Sequence, residues 1–201
     1  GKSEAMSEII LASASPRRRE LLKNMGLGFD VVVSEADESA VPNDVPPHIY
    51  VQELALIKAA AVARKVLERK DALIISADTI VVSGGRILGK PSDEADAFAM
   101  LKMLSGKTHS VYTGYCVMSI KDAYTVCGRE RTEVTFRELT DERIRGYIAT
   151  GEPMDKAGAY GIQGMGAMLV KGIEGDFFNV VGLPVGALAE TLERDFGFKL
   201  M

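Results

Sequence analysis

The sequence predicts an α/β protein, a mixed β-sheet with flanking helices arranged as two lobes around a central cleft. Apolar strand-like runs alternate with helical spacings through the first half of the chain, and strands dominate after it. No linker, repeat or low-complexity tract divides the chain, and 47% hydrophobic residues over 201 positions are ample for a buried core.

Ile9 to Leu11 read as a short buried strand that runs at once into a helix, with Ser15 as its N-cap, Pro16 at the first helical position and Gly26 after its end. Leu21, Leu22 and Met25 give that helix its apolar face. Its first turn carries Arg17, Arg18 and Arg19, at the end where the helix dipole is already positive and acidic residues would be stabilising. An anion held by free backbone N–H groups, serine hydroxyls and guanidinium groups resolves that conflict, and this is a phosphate-binding arrangement. A solvated basic turn with Glu20 as partial partner is the plain alternative.

Phe29 to Val33 read as the next strand, followed by an acidic loop in which Asp37 or Glu38 can bring a carboxylate toward the same place. From Ile49 to Glu68 the apolar residues recur at helical spacing, alanines dominate, and Lys58 is the one basic residue in the first half, either snorkelling to solvent or reaching a phosphate. Ala72 to Ser76 form a buried strand. Asp78 stands between that run and Ile80 to Val82, and burying an unpaired carboxylate costs several kcal/mol or more, so a break in the strand with a cation nearby is expected there. Gly84-Gly85 make a two-residue hairpin turn, and counting across it sets Lys90 opposite Thr79, toward Asp78.

Ser92 is expected to cap a helix that ends before Gly106. Ser110 to Ile120 and Ala123 to Phe136 read as two long strands joined at Lys121-Asp122, and Thr140 caps a helix to about Thr150. The glycine-rich segment Gly151 to Gly164 demands unusual dihedrals or close backbone approach, and in it Gln163, donor and acceptor at once, suits an amide-like base edge. Two short strands, Met168 to Val170 and Asn179 to Val181, and a helix from Pro184 to Phe196 complete the chain.

A net charge of −4 disfavours generic binding to nucleic-acid polymers. Gly1 to Ala5 read as an expression remnant ahead of a native start at Met6, leaving residues 6–201 as a single domain of two lobes. With no signal peptide and no membrane-length apolar run, a cytoplasmic protein that does not engage membranes is expected. Two histidines, His48 and His109, give little material for zinc sites or Ser-His-Asp triads, and surface or hydrogen-bonding roles are expected for both. A two-residue turn at Lys121-Asp122 puts Cys116 opposite Cys127. Free thiols packed as small apolar groups are expected there, with a disulfide as the alternative.

Four segments together resemble the Maf family of nucleoside triphosphate pyrophosphatases: Ser13 to Arg18, Ala77 to Val81, Gly89-Lys90-Pro91 with Leu104-Ser105-Gly106, and Lys156 to Gly164. The resemblance implies an elongated fold, a divalent cation (Mg, Mn or Co), a homodimer, and hydrolysis of a nucleoside triphosphate to monophosphate and pyrophosphate. The Ala157 to Gly164 segment and Val181 to Pro184 are similar to the branch acting on dTTP and UTP. Carried over by position, Asp78 is implied as the proton acceptor, Arg18, Thr79 and Gln163 as specificity residues, Ser13, Arg17, Arg18, Lys58 and Lys90 as phosphate ligands, and Glu38 with Asp78 at the metal. Two other readings keep the phosphate site: an inosine or xanthosine triphosphate pyrophosphatase, and a nucleotide-binding regulator of cell division, since the family name is associated with septum formation.

Overall fold

Strand β1 (Glu8–Leu11), helix α1 (Pro16–Asn24) and strand β2 (Asp30–Val31) open the chain in a computed structural model that describes residues 7–201. The expected remnant at Gly1 to Ala5 and the start at Met6 lie outside the described residues. Helix α2 (Pro47–Lys65), strands β3 (Ala72–Ser83) and β4 (Arg86–Leu88), and helix α3 (Glu94–Leu104) follow. Then come strands β5 (Thr108–Ser119) and β6 (Thr125–Phe136), helix α4 (Asp141–Ala149), strand β7 (Val170–Glu174) and helices α5 (Phe177–Val181) and α6 (Val185–Phe196). The strands form one mixed sheet in the order β2-β1-β3-β5-β6-β7, with β4 paired to β3. No helix among the described residues is long and apolar enough to cross a membrane.

The chain divides into two units. The first comprises residues up to Asp78 together with Thr113–Arg129 and Gly182–Met201; its strands β1, β2 and β3 pair in parallel. Its core gathers Ile10 and Ile74 from the sheet, Ala12 just after β1, and Ala55, Ala59 and Val62 from α2. The alanine-rich face of that helix has a purpose here. A Cβ on Gly114 of β5 would lie 2.6 Å from the Val51 carbonyl carbon, so helix and strand meet backbone to backbone and only small side chains fit between them.

The second unit comprises Thr79–Tyr112 and Glu130–Val181. It buries Val81, Leu101, Leu104, Phe136, Ile144 and Tyr160 in a core of its own, with α3 packed on α4. Gly84 and Gly85, both at positive φ (55° and 78°), close the β3–β4 hairpin with Ser83 opposite Arg86, as counting across the turn requires.

Five expectations are corrected. Strand β3 runs unbroken through Asp78, because the charge finds its partner without interrupting the ladder. The cap of α3 is Asp93 rather than Ser92: the Asp93 carboxylate accepts from Asp96 N at 2.7 Å, and Ser92 donates to Asp96 instead. Residues 179–181 belong to a helical turn, not a strand, with the Asp176 carboxylate accepting from Phe178 N at 2.8 Å. The strand expected at 168–170 instead begins at Val170. The fifth concerns the cysteines.

The β5–β6 turn places Ser119 N on Tyr124 O at 2.8 Å, the register that sets residue 116 opposite 127. Cys116 and Cys127 are not free thiols but a disulfide, with Cα atoms 4.1 Å apart. Directly opposite residues at a non-hydrogen-bonded position approach to about 4.5 Å between Cα atoms, close enough for the bond. Alkylation of the unreduced, denatured protein is therefore expected to add no label; two labels on mass spectrometry would show free thiols.

Candidate active site

In the first unit, α1 begins as the sequence predicts. Ser15 caps it, its hydroxyl accepting from Arg18 N at 3.3 Å, and no acidic residue stands in its first turn. Ser13, buried at the carboxyl end of β1, accepts from Ser15 N at 3.1 Å, which shapes the turn while leaving its hydroxyl proton able to donate. The half-buried Arg18 guanidinium donates from Nε to the Gly182 carbonyl at 2.7 Å, a contact that ties α1 to the start of the C-terminal segment. Burial pulls the Arg18 pKa below its ordinary value, Asp78 raises it, Arg17 lowers it and Glu38 raises it, so these four groups share one electrostatic neighbourhood.

Lys58 stands at the centre of that neighbourhood. Its ammonium lies 2.5 Å from Asp78 Oδ1 and 2.9 Å from a Glu38 carboxylate oxygen. Asp78 and Lys58 are mostly withdrawn from solvent, with side chains 14% and 17% exposed, whereas Glu38 is 54% exposed. Asp37 takes no part in this contact: its carboxylate accepts from Ser39 N at 3.1 Å and caps the short helical turn Glu38–Ala40, which aims the next residue's carboxylate at Lys58. The cation on Asp78 thus comes from α2. Lys90, named from the hairpin register, lies two residues beyond the end of β4 on the surface of the second unit.

Tyr50 was not singled out from the sequence. It lies eight residues before Lys58, two turns away on the same face of α2. Burial, then the charges of Asp78 and Glu38, raise its phenolic pKa above the usual value, with Lys58 opposing. A periodicity reading classes such a residue as ordinary helix surface.

In the second unit, Thr79 is half-buried on β3 and Gln163 is exposed in the glycine-rich segment. Gly89 and that segment are joined directly: Gly158 N donates to the Gly89 carbonyl at 3.1 Å. Gly158 itself has φ 72° and would drive a Cβ to 3.0 Å from the Val81 methyls, so glycine is required there. Gly89, Val81 and Gly158 therefore belong to one packed part of this unit.

The family model described as Maf-like protein matches residues 8–195. A dTTP/UTP pyrophosphatase of Moorella thermoacetica is 56% identical over 93% of this chain and 94% of its own length. Relatives with the same name from Thermoanaerobacter sp. and Bacillus cereus are 50% and 53% identical, each over 96% of this chain and over 100% and 92% of their own lengths. Among solved structures, a nucleoside-triphosphatase (dITP/XTP pyrophosphatase) from Mycobacterium abscessus aligns over 94% of both chains at 14% identity with a TM-score of 0.43, a likeness too distant to bear on the site.

Proposed function

This chain belongs to the Maf family, and we propose that it hydrolyses nucleoside triphosphates, dTTP and UTP foremost, to the monophosphate and pyrophosphate. The observation that carries the reading is the convergence of two carboxylates on one ammonium, Asp78 and Glu38 on Lys58, in the same charged neighbourhood as Arg17 and Arg18. A carboxylate among phosphate-binding cations weakens simple anion binding, and its presence is explained by proton transfer and by a cation. The near-full-length relatives with this activity in their names support the substrate class.

A divalent cation fits the donor set. Asp78 and Glu38 already present oxygens to one positively charged point, and ions of the Mg²⁺ type are held by one or two carboxylates with phosphates and waters completing the shell. When bound, such a cation neutralises phosphate charge. The remaining chemistry falls to the chain. The N-terminus of α1 with Ser13, Arg17 and Arg18 binds phosphate oxygens, Lys58 leaves the carboxylates to do the same, and Lys90 adds a further positive charge. Asp78 accepts a proton from water as the water oxygen bonds to the α-phosphorus; the bond to the bridging oxygen breaks, and pyrophosphate departs. Thr79, Gln163 and Arg18 set the base preference.

The test is pyrophosphate release from dTTP, UTP, CTP, ITP and 7-methyl-GTP with Mg²⁺, Mn²⁺ or Co²⁺. Turnover of dTTP and UTP ahead of the others, abolished by chelation, is expected. Preference for ITP, release of single phosphate, or tight binding without turnover would overturn the reading.

A further inference from the structure

We propose that Glu152 and Tyr147 are positioning residues for base selection, one carboxylate and one phenol that clamp both ends of the loop 161–166 and so fix where Gln163 stands. The proposal rests on the functional reading above and assigns to that reading two residues that bear no phosphate or metal.

The clamp is made entirely within the second unit. After Gln163, the Glu152 carboxylate accepts from Met165 N at 3.2 Å and from Gly166 N at 3.1 Å. Before Gln163, the Tyr147 oxygen accepts from Gly161 N at 3.2 Å, and its hydroxyl donates to Glu152 Oε1 at 2.8 Å. Each group is used within its capacity: the phenol gives one proton and receives one, and the carboxylate receives three. The Glu152 backbone is held in turn, its carbonyl accepting from Lys156 Nζ at 2.7 Å.

Three glycines let the loop close over this carboxylate. A Cβ on Gly166 would fall 1.7 Å from the Gly161 carbonyl oxygen, so the two ends of the loop are in direct backbone contact. A Cβ on Gly164, at φ 63°, would fall 3.0 Å from Glu152 Oε2, and one on Gly161 2.7 Å from Lys156 Cε. Between these points Ile162 is buried and Gln163 is exposed, an anchored neighbour beside a presented side chain. Burial raises the Tyr147 pKa and keeps the phenol a proton donor. At Glu152 burial acts upward, but the bonds from Tyr147, Gly166 and Met165 outweigh it, and the carboxyl is held below its usual range. A carboxylate acceptor bound to backbone N–H groups suits a loop whose geometry must not drift.

The alternative is that the clamp only stabilises the fold. The two are separated by the ratio of kcat/KM for dTTP to that for CTP, which a purely structural loss does not move. Glu152→Gln replaces an acceptor oxygen by an N–H group that opposes the amides of Met165 and Gly166. It is expected to lower the ratio about tenfold and to speed amide exchange at Gly161, Met165 and Gly166 without speeding it in the core strands. Tyr147→Phe, which keeps the ring that packs in the core, should move the ratio in the same direction by less. In a Gln163→Ala background, Glu152→Gln should change the ratio no further, because it acts through that side chain. An unchanged ratio in Glu152→Gln and Tyr147→Phe, with faster exchange in the loop, would overturn the proposal and leave the functional reading standing. A wild-type protein without preference for dTTP over CTP would overturn both.

Discussion

Replacement of Asp78 by Asn is expected to lower kcat by about 10²–10⁴-fold while leaving triphosphate binding measurable, because it removes the proton acceptor and none of the phosphate donors. The substitution keeps the shape and one hydrogen-bond acceptor beside Lys58, and Lys58 retains Glu38 at 2.9 Å, so neither the fold nor the lysine is stranded. Without a divalent cation, removing one negative charge from the neighbourhood of Arg17, Arg18 and Lys58 should strengthen binding of the substrate's phosphates. The measurements are single-turnover rates with dTTP and calorimetric titration of the same nucleotide. Retention of more than about a tenth of the wild-type rate would remove Asp78 from the role of base.

A second large effect is expected in the dependence of stability on pH, and its source is His109. The ring is 2% exposed, with Nε2 2.6 Å from the Tyr160 hydroxyl oxygen and Phe136 edge-on at 5.1 Å. Burial lowers its pKa from 6.5 to about 4, Glu133 opposing by less. The unfolded chain therefore binds a proton near pH 6.5 that the folded protein refuses until about pH 4. Through that window the unfolded state carries more protons, so stability falls as pH falls, and below it the loss is complete. A shift of this size corresponds to about 3 kcal/mol. Denaturant unfolding of the wild type and His109→Gln should show the stability difference between them shrinking by about that amount from pH 7.5 to pH 4. A difference constant with pH would show that His109 titrates alike in the folded and unfolded states.

Much of the fold was legible because its signals are local. Ser15 and Thr140 cap their helices, Pro16 and Pro184 stand at helix starts, and Gly84-Gly85 turn a hairpin, all through bonds that span a few residues. The errors fall where two local solutions compete. Ser92 and Asp93 are both good caps, and a segment as short as Asn179 to Val181 has the same pattern as strand or helical turn. The disulfide shows the same limit in another form: the register could be counted, but whether the opposed thiols bond depends on how closely the strands approach.

By itself the sequence determined which chemical groups are present and on which elements: an arginine-rich helix start, a strand aspartate, a helix lysine, a glycine-rich segment with a glutamine, and the resemblance that ties them to one family. Only the tertiary structure decided who meets whom. Lys58 pairs with Asp78 from 20 positions away and with Glu38 across another loop, and this contact, not a strand break or Lys90, compensates the aspartate's charge. Tyr147 and Glu152 reach Gly161, Met165 and Gly166 only because glycines let the backbone come within hydrogen-bonding distance. The physical reason is one of range. Dihedral preferences and capping bonds act over a turn of chain, whereas the partner of a half-buried charge is set by how helices and strands pack, and packing is a property of the whole core.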